Sequence, residues 1–304
     1  PNVKIISDDG KVKGLGFACG YKNIGFSYGA PEGCWATIEL RGGTEIEKVI
    51  LHHAGAEVGQ GSHTAFCQMA AESVGVDIEK VELIASDTST SDNSGSVSAS
   101  RMTFMSGNAI IGAGKLALEK WRNEERPATA KYFYKAPKTT PFDKETGECN
   151  PNISYGYVAE AVETEVDLET GEVHITNIIC VDDVGKAINP QLVVGQIEGC
   201  IVQAAGYGLM ENFIQENGYV KTSQLSTYLI PTVLDIPDRI QSIIMEHPDP
   251  NGPWGARGVG EMPYIPLVPA ISSAIHAATG VWFDHFPMTS EIILRGLGKI
   301  DEEV

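Results

Sequence analysis

Three short stretches combine residue types and spacings that suit chemistry. In Glu57-Val58-Gly59-Gln60-Gly61-Ser62, two glycines flank a glutamine just before an apolar-periodic segment. Gly59 and Gly61 let the backbone come close to a ligand with N–H groups exposed, and Gln60 adds an amide donor, which together make an oxyanion or phosphate cradle. The same residues also read as a tight turn capped by Ser62. The second stretch, Ser94 to Arg101 (SGSVSASR), is a run of small residues ending in an arginine at a helix start. Small side chains expose backbone donors, and a guanidinium can fork onto a phosphate pair; a solvated serine loop is the competing reading. The third, Gly255 to Pro263 (GARGVGEMP), places Glu261 after a glycine loop and before a helix. A positive helix end favours the ionised carboxylate, so Glu261 is either a base or a capping acid.

These stretches need elements to hold them. Cys34 to Leu40 and Lys48 to His53 read as strands, and a helix is expected from Ser62 to Gly75 with Ala65, Phe66, Met69, Ala70 and Val74 on its inner face. Val81 to Ser86 reads as a strand, and Thr103 to Arg122 as a long helix. From Asn123 to Tyr155 the pattern dissolves into charges, prolines and turn residues, which marks a boundary or crossing loop. Val158 to Leu168 and Val173 to Val181 alternate around Glu169-Thr170-Gly171 as a hairpin. Helices are then expected over 190–210 and 263–278. The fold class read from this order is α+β: two mixed α/β lobes, about 1–123 and 155–304, joined by an irregular segment of about 124–154.

The chain has 304 residues with 22 Lys+Arg against 40 Asp+Glu, a formal charge of -18. Such a balance repels nucleic-acid phosphates and anionic membrane surfaces, so neither is an expected partner. With 42% hydrophobic and 20% charged residues, the composition is that of a folded, turn-rich chain. No apolar run nears the roughly 20 residues of a membrane helix and no secretory signal is apparent, which points to a cytoplasmic protein. The six cysteines contain no C-x-x-C pair, so zinc or iron–sulfur ligation by this chain is not expected; they read mostly as buried small hydrophobes. The adjacent His52 and His53 read as structural, and no metal ligand is assigned.

Six blocks in order, KGLGFACG, GAEVGQGSHTAFCQMAAESVGV, DTSTSDNSGSVSASRMTFMSGNAI, DVGKAINPQLVVGQIEGCIVQAAGYGLMENF, STYLIPTVLDIPD and GPWGARGVGEMP, span nearly the whole chain. In letters and spacing they resemble the second half of the molybdopterin-binding large subunit of the molybdenum hydroxylases, the xanthine dehydrogenase and aldehyde oxidase family. The resemblance implies that Glu261 is the catalytic base. It implies cofactor contacts from Gly59, Gln60, Gly61, Ala99, Ser100, Arg101, Gln196 and Gly260, with Arg101 suited to the diphosphate of a dinucleotide form. Tyr21, Phe26 and Tyr28 fall where the family places aromatic residues beside the substrate, although core packing explains them equally well.

The implied cofactor is molybdenum-molybdopterin in its cytosine dinucleotide form with a terminal sulfide or selenide. The implied reaction is hydroxylation of an N-heterocyclic, nicotinate-like substrate with water-derived oxygen. The family's first-half motifs are missing, and Arg257 and Met262 stand where lysine and proline are usual. The resemblance therefore implies a split large subunit, the arrangement associated with nicotinate dehydrogenase, in which this chain corresponds to the medium molybdopterin subunit. Its partners would be a second molybdopterin subunit carrying the first half of the site, an iron–sulfur subunit and an FAD subunit. The same chemistry on a purine or aldehyde, or a non-catalytic scaffold role, are the alternatives.

Overall fold

The computed structural model describes residues 5–6 and 10–301. In chain order the elements are β1 (Ile5–Ile6), β2 (Val12–Asn23), β3 (Gly33–Arg41), β4 (Lys48–His53), α1 (Ser62–Val74), β5 (Val81–Ala85), α2 (Met102–Arg122), β6 (Ala128–Lys135), β7 (Tyr155–Val166) and β8 (Val173–Asp183). They continue with α3 (Pro190–Leu209), β9 (Gln215–Glu216), β10 (Tyr219–Val220), β11 (Ile240–Met245), α4 (Tyr264–Thr279) and α5 (Ser290–Gly296). One sheet runs β5-β4-β3-β6 with α1 and α2 packed together and α2 lying on β3 and β6; the other runs β1-β2-β7-β8-β11 beneath α3 and α4. Each has its own core, centred on Phe66, Phe104 and Met105 in the first and on Ile178, Ile197 and Ile271 in the second. The class is α+β, as the element order implied.

Sheet membership redraws the lobes. β2 lies early in the chain and was grouped with the first lobe, yet it pairs along its whole length with β7, from Val12 opposite Val166 to Asn23 opposite Tyr155. The segment 124–154 is not wholly irregular either: β6 falls inside it and pairs with β3 from Gly33–Lys135 to Leu40–Ala128. Its inward residues are Ala128 and Ala130, so the apolar alternation that marks a strand is faint there.

The opening KGLGFACG owes its glycines to packing. A Cβ on Gly14 would lie 1.9 Å from Ala274 O, and one on Gly16 2.0 Å from Ala270 O. Only glycine lets α4 rest directly on β2, and that seating sets where the loop ahead of α4 emerges. α3 starts at Asn189, whose side chain accepts from Leu192 N–H, with Pro190 in the first turn. α3 has the length and apolar composition of a membrane span, but its buried face, including Ile197, Cys200, Ile201 and Ala204, packs into the second core and against α4.

Candidate functional site

The loops before α1, α2 and α4 meet one face of α3 around a cavity of about 370 Å³. Gln60 and Gly61 come from the first loop, Ala99, Ser100 and Arg101 from the second, Gln196 from α3, and Gly260 and Glu261 from the third. Residues far apart in sequence and predicted to share a site thus line a single cavity. Gly59 belongs to the same loop as Gln60 but lies outside the lining. Tyr21, Phe26 and Tyr28 also fall outside it. The chain leaves β2 at Asn23 and is tied down by Gly25 N–H donating to Ala99 O (2.9 Å), which carries Phe26 and Tyr28 past the cavity. Tyr21 packs edge-on against Tyr155 (5.5 Å), and Phe26 lies 5.7 Å from the Arg101 guanidinium.

The walls interlock closely. Ala99 and Ser100 adopt left-handed backbone (φ 51° and 53°), a conformation costing about 1–3 kcal/mol per non-glycine residue and common where a site is pre-shaped. A Cβ on Gly258 would lie 2.3 Å from Ser100 O, and one on Gly260 2.2 Å from Ser100 Oγ. The GVG spacing is therefore a steric requirement of the loop against which it folds. α3 grips the same loop: Gln196 Nε2 donates to Gly260 O (2.7 Å), and the Cys200 thiol donates to that carbonyl at 3.4 Å. Burial, then the charges of Glu261, Asp182 and Glu160, push the Cys200 thiol up to about 12, so it remains a protonated donor. Glu261 is exposed at the cavity edge, with Gln203 Nε2 3.4 Å from its Oε1. It does not cap α4, whose preceding residue is Pro263.

Three expectations change. Arg101 has no donor left for a diphosphate. Its Nε bonds Glu32 Oε2 (2.9 Å), Nη1 bonds Ser94 O and Ser96 O (both 2.9 Å), and Nη2 bonds Gly33 O and Glu32 Oε2 (both 2.8 Å). The side chain is 1% exposed: a buried strut that ties the serine loop to β3. Gln60 turns back on its own loop, with Nε2 donating to Ala56 O (2.9 Å) and Ser62 Oγ (3.0 Å) and Oε1 accepting from Val58 N–H (2.7 Å). Ser62 is the first helical residue, and Gly61 (φ 79°) holds the cap position without a side-chain bond.

The donors at that helix start go instead to Glu57, the first residue of the glycine-glutamine motif. Its carboxylate accepts from the N–H groups of Gly59, Gly61 and His63 at 2.9, 2.9 and 3.0 Å. Burial raises its pKa, but the combined backbone bonds outweigh that and hold it below the usual carboxylate range. The signal was the interval from Glu57 to the helix start, which lets an acid fold back onto the cap.

Other residues were not singled out. Lys22, at the end of β2, lines the cavity; nothing in its sequence context distinguishes it. Glu160 and Asp182 are wholly buried on β7 and β8 beneath α3, with both Glu160 oxygens and Asp182 Oδ1 unpartnered among the described residues. Burial first, then Asp182, lifts Glu160 to about 8, and burial lifts Asp182 to about 6. Their place on the inward parity of two alternating strands was the available clue.

His53 is structural: it accepts from Gly55 N–H (2.9 Å), packs 4.4 Å from Phe66, and is lowered to about 4 by burial, then by His63 and Arg101. No group of three His, Cys, Asp or Glu among the described residues could hold a metal ion. Cys34, Cys180 and Cys200 are buried, whereas Cys19 and Cys149 are exposed.

The chain matches the molybdopterin cofactor-binding domain family over residues 3–125 and 114–237. It is 30% identical to an aldehyde oxidoreductase of Megalodesulfovibrio gigas, over 94% of this chain and 32% of that protein. It is also 30% identical to the gamma subunit of the 6-hydroxypseudooxynicotine dehydrogenase complex of Paenarthrobacter nicotinovorans, over 86% of this chain and 38% of that subunit. The solved aldehyde oxidoreductase of Desulfovibrio desulfuricans superposes with a TM-score of 0.84 at 30% identity, over 93% of this chain and 32% of the other. The chain therefore spans about a third of the length of these relatives.

Proposed function

This chain belongs to the molybdopterin cofactor-binding family of the molybdenum hydroxylases, and we propose that it forms part of the cofactor cage and supplies the base of a hydroxylase acting on an N-heterocycle. The observation that carries this reading is the convergence of the Ala99-Ser100 turn, Gln196 and the Gly260-Glu261 loop on one cavity. The residues fit a group rich in acceptors. The backbone N–H groups of Ala99, Ser100, Gly260 and Glu261 have no partner among the described residues, and successive unpaired backbone donors suit an anionic group. A pterin-bound molybdenum would supply an electron sink and the site of oxygen insertion.

The chain's own residues have defined tasks in this reading. Glu261 Oε takes the proton released as oxygen is transferred, and Gln203 orients the carboxylate. Gln196 and Cys200 hold the Gly260 carbonyl and so fix the peptide preceding the base. Ala99 and Ser100 shape the opposite wall. The rest of the cage, the iron–sulfur clusters and the FAD lie outside the residues of this sequence in this reading, and the cofactor is the cytosine dinucleotide form with a terminal sulfide or selenide.

The N-heterocycle assignment draws on the relative named for 6-hydroxypseudooxynicotine. An aldehyde is the second reading, favoured by the 30% identity to aldehyde oxidoreductase. The test is to purify the native complex through this chain and measure molybdenum, released pterin nucleotide and turnover of nicotinate and aldehydes. Molybdenum with nicotinate turnover supports the proposal, and molybdenum with aldehyde turnover alone selects the second reading. A complex without molybdenum overturns both.

A further inference from the structure

Four cationic side chains line the cavity, and three are engaged by the protein itself. Arg101 is saturated by Glu32 and backbone carbonyls, Lys186 pairs with Glu246 (3.0 Å), and Arg257 bonds Tyr155 O and His247 O beside Asp183 (3.9 Å). Lys22 is different. Its Nζ donates only to its sequence neighbour, at 2.8 Å to Asn23 Oδ1 and 3.1 Å to Asn23 O, and no carboxylate pairs with it among the described residues. Its partner across the β2–β7 register is Gly156, which has no side chain to cover it.

We infer that Lys22 is the anion-binding group of this cavity and that the anion it receives is carried by the substrate. The inference rests on the proposed hydroxylase reading and narrows its substrate to a compound bearing a carboxylate or another negative group. A chain of net charge -18 repels small anions at long range, so holding one requires a local reversal of sign. An unpaired ammonium, half-desolvated by the wall, provides that reversal with three donors to offer.

Position favours the substrate over a cofactor phosphate. Lys22 stands opposite Gly156, where a Cβ would lie 2.5 Å from the sulfur of Met262, the residue after Glu261, so Lys22 belongs to the Glu261 end of the cavity; burial lowers its pKa and the Glu261 charge opposes that. A substrate must sit there to meet the base. A cofactor phosphate has a cradle of its own in the unpartnered backbone donors of Ala99 and Ser100, which leaves Lys22 to the substrate.

The test uses the holo-complex in wild-type, Lys22→Met and Lys22→Arg forms, with nicotinate and its neutral amide nicotinamide as matched probes. The readouts are KM for each probe, equilibrium binding of each, and the molybdenum and phosphate content of the protein. Substrate anion binding requires the nicotinate-to-nicotinamide ratio of KM and of Kd to rise at least tenfold in Lys22→Met and to recover in Lys22→Arg, with molybdenum and phosphate retained. Loss of phosphate and molybdenum with an unchanged ratio would move Lys22 to the cofactor and overturn the substrate assignment. An unchanged ratio with full cofactor content would overturn anion binding altogether. Wild-type complex without molybdenum would instead defeat the hydroxylase reading itself.

Discussion

At the scale of single residues, identity and role part company most clearly at Arg101. Its place at the start of a helix behind a serine loop was legible, but its partner Glu32 lies 69 residues away, and no local pattern announces a long-range pair. Breaking a buried pair by removing one member costs about 3–5 kcal/mol, because it leaves the other charge stranded. Arg101→Ala should therefore unfold at markedly lower denaturant concentration; selective loss of nucleotide from a protein of unchanged stability would contradict this. Glu160 left a fainter trace, its inward parity on an alternating strand, and the depth of its burial follows only once α3 and α4 are placed. Folded Glu160 keeps its proton to about 8, whereas the ordinary value is 4.5; Asp182 rises from 3.8 to about 6. The native state thus binds more protons than the unfolded chain across this window. Its stability is fully present below the ordinary values and is lost as pH rises through the folded ones. Thermal midpoints should fall between pH 5 and 8.5 in wild type, and Glu160→Gln should flatten the upper part of that fall. A flat wild-type profile would show that the pair does not titrate as described.

At the scale of elements, the helices and most strands were legible because their apolar residues recur at clear periods, as in α1 and the β7–β8 hairpin. Strand partnership was not. β2 joins β7 across more than 130 residues, and β6 shows the sheet only two alanines. The glycines of β2 make the same point from the packing side, since their purpose becomes visible only with α4 in place. A Cβ at Gly16 meets helix backbone, which cannot move as a side-chain tip can. Gly16→Val should lift α4, costing at least the roughly 1–3 kcal/mol typical of overpacking and displacing the Glu261 loop. The expected result is a lower thermal midpoint together with loss of turnover, while Gly43→Ala, in open space, should leave both near wild type. Equal behaviour of the two variants would remove β2–α4 contact from the account of the site.

At the scale of the whole molecule, the second sheet is covered by α3 and α4 on one face and, among the described residues, left open on the other. Leu15 and Phe17 are 63% and 64% exposed, and Tyr157, Ile243 and Met245 are also exposed among the strands beside them. A contiguous apolar face of this kind marks an interface. Leu15→Glu with Phe17→Glu should block association with the proposed partner polypeptides without lowering the thermal midpoint of the isolated chain; association at wild-type strength would place the interface elsewhere. The central claim, that this chain brings a base to a molybdopterin held against it, is tested most directly by comparing molybdenum content and turnover in native complexes carrying Glu261 or Glu261→Gln. The amide keeps the shape of the side chain but accepts no proton, so molybdenum should stay at the wild-type level while turnover falls by at least about 100-fold. Turnover retained in Glu261→Gln, or molybdenum lost in proportion to activity, would contradict it.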